Sequence, residues 1–146
     1  MALEKALWQR LKNGGAELRA AGHKLHMERI ENAAGAGMPD VGGCMDGVSF
    51  WIELKSETRP KRPTTAIRPK LRESQSEWFR ERCAAGCRFC FILLQVGHAR
   101  ASRLYLVPGD RYDDCKAVTE AELTELSVVS PTATVADILL RAANGW

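Results

Sequence analysis

Val48-Ser49-Phe50-Trp51-Ile52-Glu53-Leu54-Lys55 is a run of β-branched and aromatic residues that follows the turn dipeptide Asp46-Gly47 and closes on an acid and an amine. That composition, bounded by that turn, predicts a buried strand entered from a tight hairpin. Side chains alternate along a strand, so Val48, Phe50, Ile52 and Leu54 share one face and Ser49, Trp51, Glu53 and Lys55 the other. Glu53 and Lys55 therefore point the same way, roughly 7 Å apart along the backbone. The simplest account is a solvated strand end on which Glu53 pairs with a cation. The flanking residues are too apolar for a fully exposed edge, however, which favours a working carboxylate.

Working back along the chain, the short apolar stretch Val41 to Met45 lies on the far side of the Asp46-Gly47 turn and is preceded by Pro39-Asp40. Folding the two stretches together as a hairpin brings Asp40 toward the Glu53 end. Two hard carboxylates suit Mg²⁺, which takes oxygen ligands and keeps waters that a substrate phosphate can displace. An amine beside them can orient the attacking water or stabilise charge on the phosphate. The set suits metal-assisted hydrolysis of a phosphodiester.

Further out, residues 2 to 13 read as an amphipathic helix with Leu3, Leu7, Trp8 and Leu11 on one side, stopped by Asn13-Gly14-Gly15. Glu4 falls inside that apolar stripe, where a carboxylate needs a partner, although a first-turn glutamate is also favoured by the helix dipole. A first strand is expected from His23 to Asn32, with Leu25, Met27, Arg29 and Glu31 on one face. Gly35-Ala36-Gly37 reads as a tight turn, because no long helix follows it as a nucleotide loop would require. After Lys55, Pro60, Pro63 and Pro69 mark an extended, mobile loop. Ser74 to Ala85 reads as a helix ended by Gly86, Cys87 to Val96 as a central strand, and Ser102 to Val107 as its hairpin partner. Thr119-Glu120-Ala121-Glu122 has capping-box spacing, and Thr134 to Ala143 reads as a last amphipathic helix.

At 146 residues the chain is long enough for a real core and reads as one domain, with a core over about 3–107 and an elaboration over 108–146. No long apolar run marks a membrane span or a leader, so a soluble, cytoplasmic protein is expected. Five cysteines, an odd number with no regular framework, fit a reducing compartment. A net charge of +3 identifies nothing by itself. Its distribution does: Lys55, Arg59, Lys61, Arg62, Arg68, Lys70 and Arg72 stand against Glu57 alone between positions 55 and 72, directly after the candidate strand. Such a run is a solvated connector or, beside a phosphodiester-cleaving site, a source of sequence-independent phosphate contacts.

Pro39-Asp40 with Glu53-Leu54-Lys55, a helix before them and Ser74-Gln75 opening a helix after them, resembles the PD-(D/E)XK nucleases, over roughly Leu3 to Val96. Within that superfamily the likeness is to the branch of virus-type replication-repair (VRR-NUC) domains and archaeal-type Holliday junction resolvases. The resemblance implies a restriction-endonuclease-like α/β fold, a central mixed sheet flanked by helices in the core order αβββαβ, with helical additions at the C-terminus. It also implies a Mg²⁺-dependent DNA endonuclease, with Mn²⁺ able to substitute. Asp40, Glu53, the backbone carbonyl of Leu54 and Glu4 would be metal ligands and Lys55 would position the water. Gln75 would touch the scissile phosphate or a metal-bound water, unless it is merely a helix-surface residue. Arg29 and Glu31 are either a cross-strand charge pair or active-site lining, and the resemblance favours lining for Glu31. DNA would meet Arg59, Lys61, Arg62, Arg68, Lys70 and Arg72. Branched, flapped or junction DNA is the implied substrate, a junction resolvase would need a homodimer to nick two strands, and a phage-type or bacterial replication or repair setting follows by analogy. The competing reading is a non-catalytic DNA-binding or scaffold module with the same fold.

Cys83, Cys87 and Cys90 have C-x3-C-x2-C spacing, but the spacing crosses a helix end, a glycine turn and a strand, and free cysteine is a common buried hydrophobe. An iron–sulfur cluster, which would need Cys44 or Cys115 as a fourth ligand, is not expected. His23, His26 and His98 form no recognisable ligand set.

Overall fold

A computed structural model describes residues 2–30 and 37–146. The order is α1 (Ala2–Ala20), β1 (Leu25–Arg29), β2 (Val41–Met45), β3 (Val48–Glu57), α2 (Glu73–Ala84), β4 (Cys90–Val96), β5 (Arg103–Pro108), α3 (Glu120–Leu126) and α4 (Val135–Ala142). A 3₁₀ segment, Gly109–Cys115, joins β5 toward α3. The strands lie in the order β1-β2-β3-β4-β5, with β3 and β4 parallel and the other neighbours antiparallel. This is the mixed α/β sheet with the core order αβββαβ and added C-terminal helices that the sequence predicts.

Asp46 and Gly47, with φ of 51° and 89°, form the two-residue β2–β3 turn, and both left-handed torsions match the twist of the strands they join. The register Met45↔Val48 to Val41↔Ile52 follows from that turn. β3 is the hinge of the architecture because its two faces belong to two different cores. Phe50, Ile52 and Leu54 pack with Leu7 and Leu11 of α1, Ile138 and Leu139 of α4, and Phe91 and Leu93 of β4. On the opposite face Cys90, Ile92 and Leu94 of β4 pack with Phe79 of α2, Tyr112 of the 3₁₀ segment and Leu123 of α3. There β3 contributes Trp51, Glu53 and Lys55.

Four expected boundaries are corrected, the first being the end of β3, which lies at Glu57 and not at Lys55. α1 does not stop at Asn13-Gly14-Gly15 but continues to Ala20, ending before Gly22 at a φ of 102°. The paired glycines are instead close-approach positions: a Cβ on Gly14 would lie 2.6 Å from Val135 Cγ1 of α4, and one on Gly15 2.9 Å from Met27 Cε of β1. β1 is shorter than the stretch 23–32, and β4 begins at Cys90 and not at Cys87. The proline-marked segment after β3 is tied down. Ile67 and Val118 exchange backbone hydrogen bonds at 2.7 and 2.9 Å, and Ile67 and Pro69 are buried. The caps behave as read: Thr119 with Glu122 and Thr134 with Asp137 form reciprocal capping boxes. Among the described residues no helix is long and apolar enough to cross a membrane.

Candidate active site

β3 runs on past the end of β2, and the chain entering β2 meets it there. The Asp40 backbone N–H donates to Glu53 Oε1 at 3.0 Å, and the Leu54 N–H donates to Asp40 Oδ2 at 2.9 Å. The two carboxylates are thereby interlocked, Glu53 through the Asp40 N–H and Asp40 through the N–H of Leu54 next to Glu53, with Asp40 half-buried and Glu53 buried. Asp40 is held from behind, since its carbonyl accepts from Ile30 N–H at 2.7 Å. Gly37 itself lies tight against α2: at a φ of 85° it sits where a Cβ would be 2.1 Å from the Ser74 carbonyl oxygen. Within a strand the N–H and C=O of one residue point to the same side, so the Leu54 carbonyl also faces the Asp40 side, where β2 has ended.

Lys55 follows Glu53 on the same face. Its Nζ lies 3.2 Å from Glu53 Oε2 and donates to the Lys70 carbonyl at 2.7 Å, so the ammonium is clamped between the carboxylate and the returning basic segment. Gln75 is not a surface residue. It is buried, its Nε2 donates to Glu53 Oε2 at 2.5 Å, and its Oε1 accepts from the Tyr112 hydroxyl at 2.7 Å. Glu53 thus accepts from a backbone N–H, an amide and an ammonium. Even so its proton affinity rises from the ordinary 4.5 to about 7, first because burial disfavours the charge and next because Asp40 repels it, with Lys55 and Gln75 opposing.

The remaining sequence candidates spread around this centre. Glu4, half-buried on α1, acts electrostatically on Glu57, whose carboxyl is pushed up by burial first and by Glu4 second. Glu57 continues the Glu53, Lys55 alternation, and ending the strand at Lys55 hid it from the sequence reading. Arg29 sits opposite Val41 and shares the α1 face with Leu25 and Met27, away from Glu53. Glu31 lies outside the described residues. Tyr112 had no local sequence signal, since nothing in Pro108 to Cys115 announces that the segment folds back onto α2.

The basic residues divide into two groups. Arg59 is turned inward: it forms an ion pair with Glu120 at 2.5 Å and donates to the Ala101 and Val96 carbonyls at 2.7 and 3.3 Å. Tyr105 completes that knot by donating to Glu120 at 2.5 Å, and Arg59 above all holds the Glu120 carboxyl below its usual range. Lys61, Arg62, Arg68, Lys70 and Arg72 are exposed, and their side chains form no ion pair with a described residue. Cys83 and Cys90 approach to 3.6 Å between sulfurs, and burial pushes both thiols up and keeps them protonated. Among the described residues no group of three or more His, Cys, Asp or Glu side chains is arranged to hold a metal ion.

No family model matches the chain. No curated protein matches it either. Among solved structures it is similar to Hjc of Archaeoglobus fulgidus, a Holliday junction resolvase from an archaeal hyperthermophile. The TM-score is 0.54 at 13% identity, covering 97% of this chain and 99% of that one. At that identity the likeness is one of fold, the restriction-endonuclease-like arrangement, over essentially the whole of both chains.

Proposed function

We propose that the chain is a divalent-metal-dependent endonuclease acting on DNA junctions, with Asp40, Glu53 and Lys55 as its cutting centre. The observation that carries this reading is the interlock of Asp40 and Glu53 beside a clamped Lys55, where Glu53 and Lys55 are the charged side chains buried among the described residues. The donor set fits a hard cation. Burial first and the Asp40 charge second raise Glu53's proton affinity, and a bound cation would offset both. Two carboxylates with waters are also an ordinary Mg²⁺ site, so a third acidic ligand is not required. Asp40 and Glu53 would hold the ion with the Leu54 carbonyl, and the ion would supply Lewis-acid polarisation of the phosphate and a more acidic water. Lys55 places its ammonium beside the nucleophile's path and neutralises charge gathering on the phosphate. Gln75 holds Glu53 in place. Exposed Lys61, Arg62, Arg68, Lys70 and Arg72 provide backbone contacts without reading sequence. The likeness to a resolvase supports junction DNA, two opposed cuts would call for a homodimer, and the replication-repair resemblance supports a phage-type setting.

The test is incubation of linear, single-stranded, flapped and four-way DNA with wild type, Glu53→Ala and Lys55→Ala in Mg²⁺. Wild type should cut, with the four-way or flapped forms preferred, and both variants should be inactive yet folded. Cleavage that neither substitution alters would refute this site. The other reading, a DNA-binding module that does not cut, draws on the hydrogen bonds from the protein's own N–H groups that both carboxylates already accept. It predicts DNA binding that EDTA leaves unchanged and no nicking of any substrate.

A further inference from the structure

We propose that Tyr112 is a positioning residue for Glu53, acting through the side-chain amide of Gln75; its functional weight rests on the nuclease reading above. A glutamine amide has a donor end and an acceptor end, and only the donor end is compatible with a carboxylate neighbour. The group on the other side of the amide has to supply the matching donor if that orientation is to be held without an unsatisfied oxygen. In this fold that group is the Tyr112 hydroxyl, which donates to Gln75 Oε1 and so turns Nε2 toward Glu53 Oε2. Burial first, and Glu53 next, push the phenol well up, so it stays protonated and remains a donor. Removing the hydroxyl would leave a buried amide oxygen unsatisfied, a cost that loosens the amide's hold on the carboxylate.

The hydroxyl itself is rigidly placed. The Tyr112 ring is buried and stacks on Phe79 of α2, with centroids 4.9 Å apart and an interplanar angle of 23°. The 3₁₀ segment reaches α2 because Gly109 lies flush against it, where a Cβ would be 2.6 Å from Phe79 Cδ1 and 2.7 Å from Cys90 Sγ. A segment outside the region that carries the PD-(D/E)XK resemblance therefore sets the orientation of a group inside it. Groups that orient metal-binding side chains from behind commonly change metal affinity about 10–100-fold when removed.

Tyr112→Phe keeps the ring and its stack and removes only the hydroxyl. In metal-free protein, the Gln75 side-chain amide signal in a ¹⁵N–¹H spectrum should shift in Tyr112→Phe, and in Glu53→Gln, which alters the amide's other partner. Calorimetric titration with Mn²⁺ in the absence of DNA should show about tenfold weaker binding for Tyr112→Phe. In a Gln75→Ala background the same substitution should weaken Mn²⁺ binding no further. An unmoved Gln75 signal, or an equal loss of Mn²⁺ affinity in both backgrounds, would overturn the proposal. Absence of Mn²⁺ binding by wild type would count against the nuclease reading alone, because the Gln75 signal decides the positioning without metal.

Discussion

The two faces of β3 carry the same strand into opposite environments. Phe50, Ile52 and Leu54 enter a dry core between α1, α4 and the sheet, where each side chain replaces water contact with apolar contact. One residue out of phase, Glu53 and Lys55 are just as buried but must be satisfied by hydrogen bonds to Asp40, Gln75 and the Lys70 carbonyl. The first face holds the fold together. The second is a desolvated polar cluster with a raised carboxyl, the environment in which we place the proposed chemistry. If this division is right, substitutions on the two faces should separate activity from stability.

The largest separation should come from neighbours on opposite faces. Glu53→Ala should reduce junction cleavage about a thousandfold or more, an effect on rate per folded molecule far larger than the stability it loses by leaving Lys55 and Gln75 without their buried partner. Ile52→Ala should instead lose about 2–5 kcal/mol in urea denaturation, with the rate per folded molecule changed only a few-fold. Equal loss of both properties in both variants would break the comparison.

The charged face should also show itself in linkage. Glu53 holds its proton more tightly folded than unfolded, so in EDTA the protein should lose stability as pH rises from about 4.5 to about 7 and then level off. The contribution should be roughly 1–3 kcal/mol, read as urea midpoints across pH. Added Mg²⁺ should restore more stability at pH 8 than at pH 5, and in Glu53→Ala the slope and the metal effect should both disappear.

On the apolar face, Gly14→Ala should cost about 1–3 kcal/mol by forcing α1 from α4, and Val135→Ala in the same chain should recover part of it, both read by thermal melting. The smallest effects belong to the basic segment. Lys61→Ala and Arg62→Ala should each lower the slope of log binding constant against log salt by about 1, measured on junction DNA. Arg59→Ala should leave that slope closer to wild type and lower stability by about 1–2 kcal/mol, because its guanidinium serves Glu120 and two carbonyls.

What local chemistry controls was legible in the sequence. The Asp46-Gly47 turn fixes hairpin register, and alternation then places Glu53 and Lys55 together and Asp40 beside them. Gly14-Gly15 misled because glycine serves both as a helix stop and as a close-packing position, and which applies depends on Val135, over a hundred residues away. Separation along the chain also hid Tyr112, 37 residues from Gln75, and the Arg59–Glu120 pair, 61 residues apart. Both depend on where 3₁₀ and helical segments return to the sheet, which no spacing within either segment records. Gln75 was found as a candidate by resemblance, but its burial required knowing that the helix face carrying it lies over Glu53.

The most direct test of the central claim is single-turnover cleavage of a four-way DNA junction by wild type and Asp40→Asn, with binding measured in parallel. Asp40→Asn keeps an oxygen for the Leu54 N–H and removes only the charge. Wild type should cut in Mg²⁺ and stop in EDTA, while Asp40→Asn should bind the junction with similar affinity and leave it intact. Cutting by Asp40→Asn at the wild-type rate would contradict that claim.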